Sequence, residues 1–291
     1  VLVSKHGFTD EAVKSVLAQA HTEQRILDSM ANAAEKTKTW TAYRTSFLRE
    51  SRVKNGAAFF HKHRKLLERA EQEYGVSPWV ITAILGVETN YGGYTGKANV
   101  LNALATLAFD HPRRGKYFRS ELVEYIVLSR EQSWNPAEQL GSYAGAMGMT
   151  QFMPSNYRRL AVDGDASGTA NLFDVQDAIP SVANYLRHHG WERGAAIATR
   201  AAVNENFNLT MIGKGLKPNY SIGQLQESGY FGQQKSDLEK KARVIRFNDE
   251  DGDEFWLGLQ NFYAISRYNP RSKYAMAVYL LSEEIRASYT E

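Results

Sequence analysis

The chain has 291 residues, of which 43% are hydrophobic and 23% are charged, a composition typical of a globular protein. Its net charge of +3 is too small to indicate nucleic-acid binding, and no apolar run approaches the roughly 18 residues of a membrane span. The absence of cysteine excludes disulfides, thiol nucleophiles and thiolate metal sites.

Helical patterns fill the first 75 residues. Thr9 is a good N-cap for an amphipathic segment that ends near Ala20. Further helices are predicted over residues 22–35, 40–48 and 55–74, and Gly75 ends the last of them.

The stretch 77–93 is the predicted helix around which the other motifs are arranged. Ser77 is a good N-cap, Pro78 suits the first helical position, and Gly92 with Gly93 marks the end. Two more helices are predicted over residues 99–109 and 118–130.

Glu88 lies on the apolar face of this predicted helix, because it continues the i, i+3, i+4, i+7 spacing of Ile81, Ile84 and Leu85. Burial and the negative end of the helix dipole both disfavour a charged carboxylate there and raise its expected pKa. A carboxyl group that stays protonated near neutral pH can act as a general acid. On these residues alone, a Glu that reaches the helix edge and meets a basic side chain explains the pattern equally well.

The segment 141–154 combines three glycines with three methionines. The glycines predict close backbone packing, and the methionines an adaptable apolar surface. Ser142 and Gln151 are its polar side chains. A glycine-rich turn in a helical core is the alternative interpretation.

The segment 163–174 matches the calcium-binding loop of an EF-hand. Oxygen-bearing side chains occupy positions 1, 3, 5, 9 and 12, and Gly168 occupies position 6. The predicted ligands are the side chains of Asp163, Asp165, Ser167 and Asp174, the backbone carbonyl of Thr169, and Asn171 directly or through water. A single loop of this kind favours a calcium ion that stabilises the fold over a calcium sensor. An acidic loop without metal is the alternative.

The residues from about 204 to 258 are predicted to form a small β region. Strands are expected over residues 241–248 and 254–260, on either side of an Asp-Gly hairpin turn. Helices return over residues 260–268 and 273–286.

Three motifs together resemble the membrane-bound lytic transglycosylase B family and its soluble forms. They are Glu88-Thr-Asn-Tyr-Gly, the run from Gly141 to Tyr157, and Asn184-Tyr185 with Gly190-Trp191. The resemblance extends from about Tyr43 to Tyr274. It implies a mainly α (α+β) fold with a lysozyme-like helical core, an EF-hand loop, an additional α domain and a small β domain. The expected divisions are an α domain at 1–75 with the C-terminal helix 275–291, a catalytic core at 76–203, the β domain at 204–258, and a return to the core at 259–274.

The resemblance also implies the reaction. The β-1,4 bond between N-acetylmuramic acid and N-acetylglucosamine of peptidoglycan would be cleaved without water, leaving a 1,6-anhydromuramoyl end. Glu88 would serve first as acid and then as base, so no second carboxylate is needed, in contrast to ordinary glycosidases.

Further site residues follow from the same resemblance. Ser142 and Gln151 match positions that line the cleft, and Tyr143 and Met147 are expected to wall the sugar subsites. The sugar-binding and Glu-supporting positions match Tyr43, Tyr185, Tyr268, Asn269 and Tyr274, of which Tyr274 would hydrogen-bond Glu88.

The expected cofactor is a structural Ca²⁺ with no organic group, and the expected partners are peptidoglycan glycan strands and other cell-wall enzymes. We expect a periplasmic monomer without a membrane span. Because the chain opens with Val-Leu-Val-Ser rather than Met, we expect that an upstream segment was removed or left out. The protein would then be either soluble in the periplasm or formerly lipid-anchored to the outer membrane.

Three other functions compete with this interpretation. A goose-type lysozyme would hydrolyse the same bond and would require a second carboxylate, for which Asp110 is the first candidate. A calcium-stabilised cell-wall binding module would carry no chemistry. A calcium sensor would be expected to contain paired EF-hands.

Overall fold

Helices make up most of the chain, together with one two-stranded and one five-stranded antiparallel sheet, in a computed structural model that describes residues 1–32, 38–233, 237–249 and 252–289. The α-helices are Leu2–His6, Asp10–Leu17, Gln24–Ala31, Trp40–Phe47, Glu50–Tyr74, Pro78–Thr89, Val100–Asp110, Gly115–Glu131, Pro154–Leu160, Val175–His188, Ile222–Glu227, Gln260–Ser266 and Ser272–Ser288. The strands are β1 (Ala98–Asn99), β2 (Leu140–Gly141), β3 (Ala198–Val203), β4 (Tyr220–Ser221), β5 (Tyr230–Gly232), β6 (Lys241–Asp249) and β7 (Gly252–Gly258). The predicted mainly helical fold with a small β region is confirmed. None of the helices in these ranges is both long and apolar enough to cross a membrane.

Two compact units share the chain, and neither is a continuous segment. The first unit comprises Val1–Ala33 and Glu88–Asn184, and the second comprises Ala34–Val87 and Tyr185–Glu291. The four-part division expected from the sequence stays a prediction.

The core of the first unit is built by the helices Val100–Asp110 and Gly115–Glu131, which pack against each other. Asn99 caps the first of them by accepting a hydrogen bond from the Asn102 amide at 3.0 Å. The buried carboxylate of Glu121 accepts hydrogen bonds from the amide and hydroxyl of Ser155, at 2.9 and 2.7 Å. Because an unpaired buried carboxylate would be costly, this pair joins the start of the Pro154–Leu160 helix to the core.

The second unit is organised around the long helix Glu50–Tyr74, which packs against Ser272–Ser288. It ends as predicted at Gly75, whose φ of 74° is the left-handed conformation of a helix C-cap. The helix begins at Glu50 rather than at the predicted residue 55, because the first turns are mainly polar and contribute few buried residues to the apolar period. Phe60 stacks on Trp79, with the ring centroids 3.7 Å apart.

The sheet of the second unit has the strand order β4-β6-β7-β3-β5, and every pairing is antiparallel. β6 and β7 form the predicted hairpin, with Asp249 opposite Gly252, while turn residues 250–251 lie outside the described residues. The sheet begins at Ala198, before the predicted start at residue 204. The sequence Ala-Thr-Arg-Ala-Ala-Val has little intrinsic strand preference, so β3 forms because β5 and β7 pair with both of its edges.

Candidate active site

A cavity of about 310 Å³ in the first unit contains four of the predicted site residues. Glu88, Ser142, Tyr143 and Gln151 all line it. Among the described residues that line this cavity, Glu88 alone carries a carboxylate. The fold therefore brings Glu88 and Gln151, which are 63 positions apart in the sequence, to the lining of one cavity.

Glu88 is half-buried and precedes the last residue of the Pro78–Thr89 helix. Thr89 fixes this helix end, because its hydroxyl donates to the Met149 carbonyl at 3.1 Å and accepts from the Gly92 amide at 3.0 Å. Asn90 and Tyr91 then adopt left-handed conformations with φ of 50° and 62°. Non-glycine residues adopt this conformation at a cost, and such strain is typical of functional sites. The helix end that presents Glu88 is thus held by the 141–154 segment.

The 141–154 segment supplies part of the cavity lining and is built of tight turns. The Ser142 amide donates to the Ala146 carbonyl at 2.8 Å, and the Ser142 hydroxyl accepts from the Ala146 amide at 3.0 Å. Met147 and Phe152 exchange backbone hydrogen bonds at 2.9 and 3.1 Å. The predicted close backbone packing is confirmed, since Gly148 has a φ of 70° and a Cβ there would meet the backbone of Leu172.

Substitution of Gly145 is expected to destabilise the first unit more than substitution of a left-handed glycine that has open space around it. At Gly145, φ is +84° and a Cβ would lie 2.5 Å from Leu104 Cδ2. Gly145→Ala should therefore lose about 2–5 kcal/mol of unfolding free energy through backbone strain and overpacking. The matched control Gly7→Ala, with φ of +66° and no atom within 4 Å, should lose only about 1–2 kcal/mol. Chemical denaturation of both variants measures the difference, and equal losses would contradict the packing role of Gly145.

Gln151 braces the cavity wall with its side-chain amide. Its Nε2 donates to the carbonyls of Thr95 and Gly148, both at 3.0 Å. The residue itself is left-handed, with φ of 51°. These bonds use both amide hydrogens of Gln151 and leave its carbonyl oxygen as the remaining acceptor.

Two aromatic side chains are exposed on the cavity lining. Tyr94 is 60% exposed and Tyr143 is 39% exposed. Exposed tyrosines offer flat apolar faces with a polar tip, which suits contact with sugar rings. Tyr94 and the cationic Lys97 were missed by sequence reasoning, although both lie in the short loop between Gly93 and β1.

The other predicted sugar-binding tyrosines lie in the second unit. Tyr185, Tyr268 and Tyr274 form one cluster, with ring centroids 4.5 Å apart for the first pair and 6.5 Å apart for the second. The Tyr185 hydroxyl donates to the Arg267 carbonyl at 2.5 Å. Tyr43 packs on Phe47 with centroids 5.0 Å apart.

Of two further predicted site residues, Asn269 lies in a hydrogen-bonded turn and Met147 lies in the core. The carbonyl of Asn269 accepts a hydrogen bond from the Arg271 amide at 2.7 Å, which closes the turn before the Ser272–Ser288 helix. Met147, which was expected to wall a sugar subsite, is fully buried and does not line the cavity.

The predicted calcium loop is closely bonded. Asp163 accepts from the amides of Gly168 and Ser167, at 2.7 and 3.0 Å, and these bonds, the first above all, hold the pKa of its carboxyl below the ordinary value. Asp165 also accepts from the Ser167 amide at 3.0 Å. The Ser167 hydroxyl donates to the Thr169 carbonyl at 3.1 Å.

The third carboxylate of this cluster is Asp177, which sequence reasoning missed. Carboxylate oxygens of Asp163, Asp165 and Asp177 lie within 4.8 Å of one another. Asp177 is only 1% exposed, and it accepts from the amides of Gly164 and Asn171 at 2.7 and 2.6 Å. Three carboxylates so close together fit a hard cation such as Ca²⁺, which prefers oxygen ligands.

The structure places the predicted ligands Asp174 and Asn171 differently. Asp174 precedes the Val175–His188 helix and accepts from the Gln176 amide at 2.9 Å, as a helix cap does. The Asn171 side chain accepts from the Phe173 amide at 3.1 Å. Both side chains therefore organise the exit of the loop.

Comparison with known proteins gives the same family along the whole chain. A family model described as Transglycosylase SLT domain matches residues 2–283. The chain is 40% identical to membrane-bound lytic murein transglycosylase B of Escherichia coli K12, over 98% of this chain and 80% of that protein. Soluble lytic transglycosylase SltB1 of Pseudomonas aeruginosa is 42% identical with a TM-score of 0.91, covering 99% of this chain and 97% of its own. E. coli Slt35, solved in complex with calcium, is 40% identical with a TM-score of 0.89, covering 100% and 91%.

These matches confirm the predicted resemblance and the mainly helical, lysozyme-like fold. They extend through both compact units and include the cavity that Glu88 lines. The chain therefore belongs to the transglycosylase SLT domain family and is a lytic murein transglycosylase, an enzyme that acts on peptidoglycan.

Proposed function

We propose that the enzyme cleaves the β-1,4 bond between N-acetylmuramic acid and N-acetylglucosamine with Glu88 as its single acid and base. The Glu88 carboxyl donates its proton to the glycosidic oxygen as the bond from that oxygen to C1 breaks. The resulting carboxylate then takes the proton of the muramoyl C6 hydroxyl while the C6 oxygen bonds to C1. The products are an N-acetylglucosamine end with a free hydroxyl and a 1,6-anhydromuramoyl end, and no water is consumed.

The observation that carries this proposal is the lone carboxylate of the cavity. Hydrolysis by the usual inverting or retaining routes requires two carboxyl groups on opposite sides of the scissile bond. Among the described lining residues only Glu88 supplies one. Asp110 is exposed at the end of its helix and does not line the cavity. Intramolecular attack removes the need for a second carboxylate because the nucleophile is part of the substrate.

The bracing contacts of the wall support the same chemistry. Ser142 and Gln151 hold backbone turns of the cavity lining in place, and Tyr143 and Tyr94 would offer their rings to the sugars. In the second unit, Tyr185, Tyr268, Asn269 and Tyr274 remain proposed sugar-binding or Glu-supporting residues, together with Tyr43. A glycan strand of peptidoglycan is the proposed ligand, and the periplasm is the proposed location.

Mass spectrometry of muropeptides is expected to identify the reaction directly. Purified peptidoglycan digested by the enzyme should yield disaccharide products lighter by one water than hydrolytic products, without a reducing end. The reason is that the C6 oxygen, rather than water, ends on C1. Borohydride reduction provides the control, since anhydro ends should resist it. Reducible ends of full hydrolytic mass would instead assign the chain to a hydrolase.

We further propose that the 163–177 loop binds Ca²⁺ as a structural ion. Asp163, Asp165 and Asp177 would supply carboxylate oxygens, while Ser167 and the Thr169 carbonyl would complete the oxygen set. The proposal is supported by the clustered carboxylates and by the calcium complex of the relative Slt35. The ion would neutralise mutual repulsion of the three carboxylates and thereby stabilise the loop.

A further inference from the structure

A second cavity lies wholly in the second unit and shares no lining residue with the cavity of Glu88. It measures about 420 Å³ and is formed by the loop 214–219, by β6 and by the segment 263–270. Four of its lining side chains are cationic: Lys214, Lys217, Arg243 and Arg267. No Asp or Glu is found among the described residues that line it. The cavity is therefore a concave basic surface.

Arg243 is the buried member of the four cations, with only 5% of its surface exposed. Its Nη1 donates to Asn219 Oδ1 at 2.9 Å, and its Nη2 donates to the Lys214 carbonyl at 3.3 Å. A guanidinium group has five N–H donors, and these two bonds satisfy two of them. Its Nε is buried and has no acceptor among the described residues.

The surrounding fold holds this side chain in place. Arg243 extends from β6, where its backbone is paired opposite Gly258. Gly213 provides the necessary room, because a Cβ at that position would collide with Arg243 Nη2. The Asn219 amide donates to the Ala242 carbonyl at 3.2 Å, which fixes the residue that orients the guanidinium.

The charge of Arg243 is not balanced within the described part of the chain. None of the four cations of the cavity forms an ion pair with a described carboxylate. A buried cation without a counter-charge is costly, whereas a guanidinium paired with a carboxylate forms strong charge-assisted hydrogen bonds. An anionic group from outside the chain would relieve this imbalance.

We propose that this cavity binds a peptide carboxylate, and specifically a carboxylate of the peptide stems that peptidoglycan carries. Besides its cations, the cavity offers apolar surface from Leu216, Pro270 and the ring of Tyr263. This combination suits a short peptide with small apolar side chains and an acidic group better than a free inorganic anion. The volume is also within the range of sites for small organic ligands. The choice of stem peptides rests on the proposed action on peptidoglycan.

Calorimetric titration of the full chain with a synthetic stem tripeptide, L-Ala-γ-D-Glu-diaminopimelate, tests the proposal. The free tripeptide should bind, and its fully amidated form should bind at least tenfold more weakly. Lys217→Ala should reduce the affinity about threefold or more, because Lys217 is an exposed cation of the cavity. The matched control Lys65→Ala removes an exposed cation elsewhere in the same unit and should leave the affinity unchanged.

Arg243→Gln should abolish detectable binding of the tripeptide, and circular dichroism must show that this variant is folded. If it does not fold, Lys217→Ala and the amidated peptide still decide the question. Equal affinity for the free and amidated peptides would overturn the proposal, as would binding of inorganic phosphate without binding of the tripeptide. Because titration requires no turnover, its outcome is independent of the product analysis. Anhydro products without tripeptide binding would refute only this site, and tripeptide binding without anhydro products would refute only the proposed reaction.

Discussion

Glu88→Gln is expected to lower the turnover of peptidoglycan by about 10³-fold or more, while the variant remains folded. A glutamine amide has nearly the same shape as the carboxyl group but can neither donate the proton to the leaving oxygen nor remove one from the C6 hydroxyl. General acid–base catalysis typically contributes about 10²–10⁴-fold to a step, and Glu88 would act in both steps. The release of soluble anhydro-muropeptides measures the loss, and binding of a glycan fragment to the variant measures what is kept.

Glu121→Gln offers a contrast within the same unit. Glu121 is a buried carboxylate that bonds Ser155 and does not line the cavity, so its replacement should lower thermal stability and leave the folded enzyme active. The two variants thus separate chemistry from folding. If Glu88→Gln retained more than about a tenth of the activity, another group would have to act as the acid, and the single-carboxylate reaction would be wrong.

Asp177→Asn is expected to weaken calcium binding at least about tenfold and to remove most of the thermal stabilisation that calcium provides. The substitution removes one of the three clustered negative charges. It also places an amide nitrogen near the backbone N–H groups that Asp177 now bonds. Without metal, the loss of one of these buried acceptors should cost about 1–3 kcal/mol of unfolding free energy. Thermal unfolding with excess calcium and with excess chelator measures both effects.

Asp174→Ala is the matched comparison three residues earlier. Because Asp174 bonds the start of the following helix, its loss should cost about 1 kcal/mol in calcium and in chelator alike. The calcium-dependent shift of the melting temperature should survive in this variant. A shift that disappears with Asp174 and persists without Asp177 would restore the twelve-residue register and contradict the proposed ligand set.

Helices that begin at a capping residue and end at a glycine could be predicted from the nearby sequence alone. The Pro78–Thr89 helix follows from Ser77, Pro78 and the glycines after it, and the Glu50–Tyr74 helix ends at Gly75 as expected. The helical periodicity also placed Glu88 in line with Ile81, Ile84 and Leu85, and these three apolar residues are fully buried. In these cases the residue that supplies the signal lies within a few positions of the structural feature that it determines.

Features that depend on distant partners could not be predicted in the same way. The Ala-rich β3 becomes a strand only through the neighbours on both of its edges. Asp174 occupies position 12 of the standard EF-hand loop. The carboxylate that lies close to Asp163 and Asp165 is instead that of Asp177, three residues later and within the following helix. The exposure of Tyr94 at the cavity depends on the conformation of the loop after Gly93, which the pattern of residue types does not specify.

The discontinuous composition of the two units has a consequence for folding during synthesis. The first unit needs residues up to Asn184, and the second needs residues up to the C-terminus, although each begins within the first 34 residues. Residues 34–87 are therefore synthesised before most of the second unit exists. Their apolar surface stays without its packing partners until residues 185–291 have been made. No single cut in the gene would separate the two units, because residues 34–87 of the second unit lie between the two parts of the first. A fragment that ends at residue 184 is therefore expected to aggregate through the unpartnered apolar surface of residues 34–87.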